Sequence, residues 1–99
     1  MRFTQIMEFE SSSQSDVLAL EDRWERETEG KRPRISTQIG QDRDRPNHYV
    51  GIVTFESYDD AMKNNAMVET DAFAADLRQI ANGNVRYVNL DLIDESEDL

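Results

Sequence analysis

The sequence predicts an α+β domain whose elements follow the order β-α-β-β-α-β. Four segments of strand length carry apolar residues at alternate positions, and two segments between them repeat apolar residues at helical spacing. The strands are also apolar on both faces. Tyr49, Val53 and Phe55 share one face of the third strand. Val50 and Ile52 share the other, so each face of the sheet needs a cover.

The first half of the chain supplies two strands and the helix between them. A strand is expected over 2–10. The following helix is predicted to be capped by Ser15 and to stop at Gly30, which can take a left-handed conformation. A second strand is expected over 34–40. The buried stripe of the helix is predicted to be Val17, Leu20, Trp24 and Thr28.

The second half repeats this pattern after a charged connection. The third strand, 48–57, leads into a second helix whose cap is predicted to be Ser57. The helical pattern resets at 68–70, and a fresh segment is predicted over 72–81, capped by Thr70 and Asp71. The pattern leaves open whether the reset is a kink or a break. The fourth strand is expected over 85–93.

Composition limits the class of protein and its partners. With 99 residues, 37% of them apolar, we expect one domain over 1–94 and an acidic tail over 95–99. No apolar run reaches membrane-spanning length, and the first ten residues carry charges, so a cytoplasmic location without membrane association is expected. The net charge of -10 opposes binding to nucleic acid.

The same composition narrows the chemistry. The chain has no cysteine, which excludes disulfides, thiolate nucleophiles and Cys-ligated metals. Its one histidine, His48, has only Asp42 and Asp44 as local partners, so no metal site is expected. The helix acids, among them Glu21 and Glu25, are expected to lie on exterior faces with ordinary pKa values.

The second cover of the sheet is predicted to be another copy of the chain. Two helical segments suffice for one face only, and the other face would otherwise expose several hundred square ångströms of apolar surface. Face-to-face pairing of two sheets removes that surface from water. We therefore expect a homodimer, with Val50 and Ile52 as candidate interface residues.

Three short segments carry a family resemblance. The stretch T-F-E-S-Y-D-D-A-M at 54–62 resembles the strand-to-helix junction of the dimeric α+β-barrel superfamily, which includes the antibiotic-biosynthesis-monooxygenase-like proteins. Residues 69–74 resemble the start of the second helical segment of these proteins, and 88–92 resemble their closing strand. The resemblance implies a ferredoxin-like fold whose four-stranded antiparallel sheet pairs with that of a second copy as a dimeric α/β barrel.

The resemblance also implies a range of activities without choosing among them. Members bind small apolar or aromatic molecules between sheet and helices, and some are cofactor-independent monooxygenases, so no cofactor is expected here. The haem-degrading branch relies on an asparagine in the first strand and on a histidine with a tryptophan around the second helix. This chain has Gln5 in the first strand and neither of the other two residues in 57–81, which argues against haem degradation.

Six side chains are candidates for lining a ligand pocket: Trp24, Met62, Met67, Tyr87, Asn89 and His48. On this hypothesis Trp24, Tyr87 and Asn89 position the ligand. The structural alternatives are that Trp24 and the methionines fill the core, that His48 is exposed at a loop end, and that Asn89 bonds across the dimer interface or faces solvent. No catalytic residue can be assigned from the sequence.

Two functions of different class remain open. The first is a domain that binds or modifies a small aromatic molecule, in its sharpest form a cofactor-free oxygenase acting on an electron-rich phenol. The second is a non-enzymatic dimer whose acidic surface meets another protein. An internal cavity of about 300 Å³ or more with convergent polar groups would favour the first. RNA binding, known for the same topology, is excluded because the third strand has no positive charge.

Overall fold

The computed structural model describes residues 1–98 and confirms the predicted α+β, ferredoxin-like fold. Its elements are β1 (Phe3–Glu10), α1 (Gln14–Thr28), β2 (Ile35–Gln41), β3 (His48–Phe55), α2 (Tyr58–Asn65), α3 (Val68–Ile80) and β4 (Arg86–Asp91). The order is β-α-β-β-α-α-β because the second helical segment is two helices. No helix within residues 1–98 combines the length and hydrophobicity of a membrane span.

The four strands form one antiparallel sheet in the order β2-β3-β1-β4. In its centre β1 pairs with β3, placing Phe3 opposite Phe55 and Phe9 opposite Tyr49. All four aromatic side chains are buried on the side that the helices cover. β4 pairs with the other side of β1 and forms an edge of the sheet.

The end of α1 and the start of α2 agree with the sequence, but the start of α1 does not. Ser13, not Ser15, is the N-cap, because its hydroxyl accepts the Asp16 N–H at 3.2 Å. Ser57 caps α2 as predicted, by accepting the Asp60 N–H. Gly30 has a φ of +79°, the left-handed conformation expected where the chain leaves α1.

The second helical segment is broken just before the 68–70 reset, and its second part begins four residues before the predicted position 72. α2 ends at Asn65, and α3 begins at Val68. Met67 between them is extended, with φ -71° and ψ 139°, so the helical path cannot continue through it. Met67 makes no side-chain capping bond, and the prediction that Thr70 opens a helix is wrong because Thr70 lies inside α3.

The core under the helices is divided into two clusters of buried residues. One contains Phe9, Val17, Tyr49 and Leu77, and the other contains Phe3, Phe55 and Ala61. On β1 the helix-facing positions between the two clusters are Gln5 and Met7, which are only half-buried. A polar and a flexible residue therefore occupy the middle of the sheet, where packing is incomplete.

The opposite face of the sheet carries an apolar strip that no helix covers. Its members are Ile6, Val50, Ile52, Val88 and Leu90, and Ile6 lies opposite both Ile52 and Val88 in the strand registers. At one end the strip meets a charged cluster in which Glu8 lies 2.5 Å from Arg86 and 3.8 Å from the ring of His48. Val50 and Ile52 thus lie on the face that the dimer prediction assigns to them.

Candidate functional site

A cavity of about 50 Å³ lies between the sheet and the helices, in the gap between the two core clusters. Its lining residues come from β1, α1, β2, β3, α2 and α3: Gln5, Met7, Glu21, Trp24, Thr37, Val53, Asn64, Asn65, Thr70 and Phe73. A second cavity of about 20 Å³ shares several of these residues and lies beside it. The partition between the two is formed by side chains, among them Met7 and Phe73.

Gly51 creates part of this space. It lies opposite Met7 in the β1–β3 register and points to the helix side. A Cβ atom at residue 51 would lie 3.1 Å from the terminal methyl carbon of Met7, so the Met7 side chain folds over the glycine. Because methionine has three rotatable side-chain bonds, this wall of the cavity can change shape at little cost.

Trp24 forms the wall where α1 meets α3. Its indole nitrogen donates a hydrogen bond to the hydroxyl of Thr70 at 3.0 Å, and its ring packs edge-on against Phe73 with 6.5 Å between centroids. The guanidinium of Arg32 lies over the Trp24 ring, 5.5 Å from its centroid. These contacts hold the indole in place at the wall of the cavity.

Asn64 brings an unsatisfied acceptor to the cavity. The residue lies near the end of α2 and is only 4% exposed. Its Oδ1 atom is buried and has no hydrogen-bond partner. An unpaired buried acceptor costs about 1–3 kcal/mol, so such atoms in native proteins call for a specific explanation. A ligand that donates a hydrogen bond would supply one.

Glu21 provides a second unsatisfied acceptor and the only charge among the described lining residues. Its Oε1 atom is buried without a partner. Burial, and next the neighbouring charge of Glu25, raise the pKa of the Glu21 carboxyl, while the Thr37 hydroxyl and Arg32 act in the opposite direction. The expectation that helix acids keep ordinary pKa values is therefore wrong for Glu21.

A sequence signal for Glu21 existed. It is four residues after Val17 and three before Trp24, so it shares the side of α1 that carries the buried stripe. The acids that follow it, Asp22 and Glu25, made the stretch resemble a solvated face. The helical spacing of the buried residues of α1 therefore predicts the burial of Glu21 better than the acidic composition of the segment does.

The structure places the six predicted pocket residues in different environments, and only Trp24 is among those that line the cavity. Tyr87 lies on the helix side of β4 but is 43% exposed because β4 is an edge strand. Asn89, next on that face, is exposed, and its Oδ1 accepts a hydrogen bond from the side chain of Gln5 at 3.2 Å. Asn89 therefore does not line the cavity itself, but it holds the side chain of Gln5, which does.

The remaining three candidates lie away from the lining residues. Met62 is exposed on α2, and Met67 is half-buried at the joint between α2 and α3. His48 lies at the start of β3 on the face that no helix covers, beside Glu8. Within residues 1–98 no group of three or more histidine, cysteine, aspartate or glutamate side chains is arranged to hold a metal ion.

The cavity is smaller than the sequence argument required. It holds about 50 Å³, against the roughly 300 Å³ typical of ligand pockets. Even a benzene ring occupies an engineered cavity of about 150 Å³. Entry of an aromatic ring therefore requires side chains such as Met7 and Phe73 to move and join the two cavities.

Comparison with solved structures supports the fold. SnoaB, a cofactor-independent oxygenase from Streptomyces nogalater, superposes with a TM-score of 0.80 over 98% of both chains at 15% identity. Rv0793 from Mycobacterium tuberculosis gives a TM-score of 0.80 over 98% of this chain and 100% of its own, at 16% identity. The chain has the fold of the antibiotic biosynthesis monooxygenase-like proteins.

This fold confirms what the junction at 54–62 led us to expect of the architecture. A protein whose structure is described as an antibiotic biosynthesis monooxygenase gives a TM-score of 0.73 at 14% identity, over 93% of this chain and 99% of that one. At such identities the likeness establishes the fold alone. No protein-family model matches the chain, and no curated protein sequence matches it.

Proposed function

We propose that the chain is a homodimeric domain that binds and modifies a small aromatic molecule in the cavity between sheet and helices, as a cofactor-independent monooxygenase. The observation that carries this proposal is the pair of buried acceptors, Glu21 Oε1 and Asn64 Oδ1, left unpaired beside apolar walls. A solidly packed structural core has no reason to retain two such atoms in one place. The shared fold with a cofactor-independent oxygenase supports the same reading.

The chemistry needs no metal or flavin if the substrate itself supplies the electrons. Deprotonation of an electron-rich phenol whose keto tautomer has a ring CH₂ group gives an anion with carbanion character at that carbon, and this carbon can reduce oxygen. One O₂ is consumed, the CH₂ carbon becomes a carbonyl, and one water is released. On this proposal Trp24 stacks on the ring, Asn64 receives a hydrogen bond from the substrate, and Gln5, held by Asn89, orients a second polar group.

The dimer belongs to the proposal because the apolar strip on the uncovered face needs a cover. Ile6, Ile52 and Val88 are adjacent in the strand registers and lie at the centre of the strip. A contiguous apolar patch across three strands is rare on a monomer. A second copy provides a complementary surface, since the same strip faces itself across a two-fold axis.

One observation favours the other candidate function, a non-enzymatic dimer that meets a protein partner. The cavity of about 50 Å³ is too small for an aromatic ring unless side chains move. The net charge of -10 would then attract a basic protein partner, and the predicted tail at 95–99 would add to the acidic surface that binds it.

Native mass spectrometry of gently purified protein separates the two functions. A dimer that carries additional small-molecule mass supports the enzyme and names its ligand class. Oxygen uptake is then measured with anthrone, a phenol tautomer that has the required CH₂ group. A bare dimer that consumes no oxygen with anthrone favours the structural alternative, and a monomer contradicts the dimer.

A further inference from the structure

The cavity lacks a specific kind of partner. A carboxylate has no hydrogen to give, and an amide oxygen has none either, so Glu21 Oε1 and Asn64 Oδ1 can be satisfied only by donors. The Thr37 hydroxyl acts on the Glu21 carboxyl but leaves Oε1 without a partner, and two other nearby donors are engaged elsewhere. The Trp24 N–H goes to Thr70, and one N–H of Gln5 goes to Asn89. The missing group is therefore a donor brought by the ligand.

The ligand also cannot be an anion. Glu21 is the only charged residue among the described residues that line the cavity. Arg32 is a cation that acts on it, but its guanidinium donates to the Glu25 carbonyl at 2.7 Å and to the Thr28 hydroxyl at 3.0 Å. An anionic ligand would meet the carboxylate in a partly desolvated site without a counter-ion.

We infer that the ligand enters as a neutral phenol whose hydroxyl donates to Glu21 Oε1, and that Glu21 takes up this proton when the phenol is ionised in the cavity. The inference deepens the proposed function and rests on it. In the transfer the O–H bond of the phenol breaks, its electron pair stays on the phenolate oxygen, and the proton bonds to Oε1. Glu21 becomes neutral, so the cavity holds one negative charge before and after the step.

The surroundings of Glu21 fit this role. Burial and the charge of Glu25 raise the pKa of the carboxyl, which makes its ionised form a stronger base than an exposed glutamate. The positive charge of Arg32 limits this increase in the pKa of Glu21. Arg32 also contacts the Trp24 ring and does not line the cavity. The same carboxylate therefore disfavours an anionic ligand and accepts the proton of a neutral phenol.

The test uses the full chain at pH 7 and three matched single-ring probes: para-cresol, its methyl ether and para-toluate. The chain has one tryptophan, so its indole N–H resonance reports binding at the cavity wall. We expect para-cresol to bind about 10-fold more tightly than the methyl ether, which lacks the donor, and para-toluate to bind more weakly than both.

Glu21→Gln adds an N–H donor at the same position and removes the charge. In this variant the preference for cresol over its ether is expected to shrink to within about 3-fold, and the penalty against toluate to fall. Glu29→Gln is the matched control, because Glu29 is exposed at the end of the same helix. It should keep the wild-type order and ratios.

The outcomes distinguish the inference from the function on which it rests. If cresol and its ether bind the wild-type protein equally well, the cavity binds aromatic rings but Glu21 does not receive a hydroxyl, and the inference fails. Retention of the full preference by a folded Glu21→Gln variant also overturns it. If no probe moves the Trp24 resonance, the proposed function and the inference fail together. Should the variant not fold, the wild-type ratios alone decide.

Discussion

The indole nitrogen of Trp24 on α1 donates a hydrogen bond to the hydroxyl of Thr70 on α3, 46 positions away in the chain and 3.0 Å away in space. Both residues line the cavity. The bond ties the first turn of α3 to α1 just after the break at Met67, where α3 has no side-chain cap of its own. It therefore fixes one side of the cavity and the start of α3 together.

Loss of this hydrogen bond should destabilise the fold measurably. Thr70→Val leaves the Trp24 N–H in a mostly buried position without a partner, at an expected cost of about 1–3 kcal/mol in the free energy of unfolding. Thr70→Ser keeps the hydroxyl and is the matched control, with a loss of less than about 1 kcal/mol. Urea unfolding measures both. Equal stability of the two variants would mean that the bond contributes nothing.

Glycine 51 should control the shape of the cavity through Met7. Gly51→Ala places a Cβ 3.1 Å from the Met7 methyl, which then moves into the adjoining space. We expect a stability change of less than about 1 kcal/mol, because the neighbour that moves is a flexible chain end, and at least ~10-fold weaker para-cresol binding.

The matched control for this change is Gly40→Ala. A Cβ at residue 40 meets only the Val50 carbonyl oxygen, at 3.9 Å, which is ordinary contact. Binding of para-cresol to Gly40→Ala should therefore equal that of the wild-type protein in the same NMR titration. If Gly51→Ala also binds normally, Met7 does not shape the ligand site.

The stability of the protein should depend on pH through Glu21. Its raised pKa means that folding disfavours the ionised carboxyl, first through burial and then through Glu25, with Thr37 and Arg32 opposing. The resulting loss of stability is absent below the ordinary value of 4.5, where the group is protonated in both states, and complete once pH exceeds the folded-state pKa.

Glu21→Gln should therefore raise the thermal midpoint at pH 7, and the gain should disappear as pH falls to the ordinary range of a glutamate. Glu29→Gln, which removes an exposed charge from the same helix, should change the midpoint little at either pH. Calorimetry over a pH series measures both variants. A gain that is the same at all pH values would contradict the assignment to Glu21 ionisation.

Charge placed on the uncovered sheet face should split the proposed dimer. Ile52→Glu puts a carboxylate at the centre of the apolar strip, and a two-fold interface doubles the effect, so the dissociation constant should rise at least ~100-fold. Leu18→Glu makes the same change at a residue that is 52% exposed on α1 and should leave the dimer intact. Analytical ultracentrifugation distinguishes these results, and a dimer unaffected by Ile52→Glu would place the interface elsewhere.

The alternation of apolar residues was sufficient to predict the strands, their two faces and the order of elements. This succeeds because side-chain direction in a strand has a period of two, a property of the local backbone alone. It put Tyr49 and Phe55 on one face of β3 and Val50 and Ile52 on the other, and the structure then shows that the helices cover the first of these faces. The Ser57 cap and the Gly30 stop followed for the same reason, since each depends on its neighbouring residues.

The site depended on distances that no local pattern contains. Tyr87 and Asn89 point to the helix side as their spacing predicts, yet they are exposed because β4 is an edge strand. In the sequence Glu21 resembles its acidic neighbours, but in the structure the packing of α1 over the sheet buries its carboxylate. The sequence by itself determined which face each strand residue occupies. Only the tertiary structure decided which polar atoms lose their water, because desolvation depends on neighbours from elements distant in the chain.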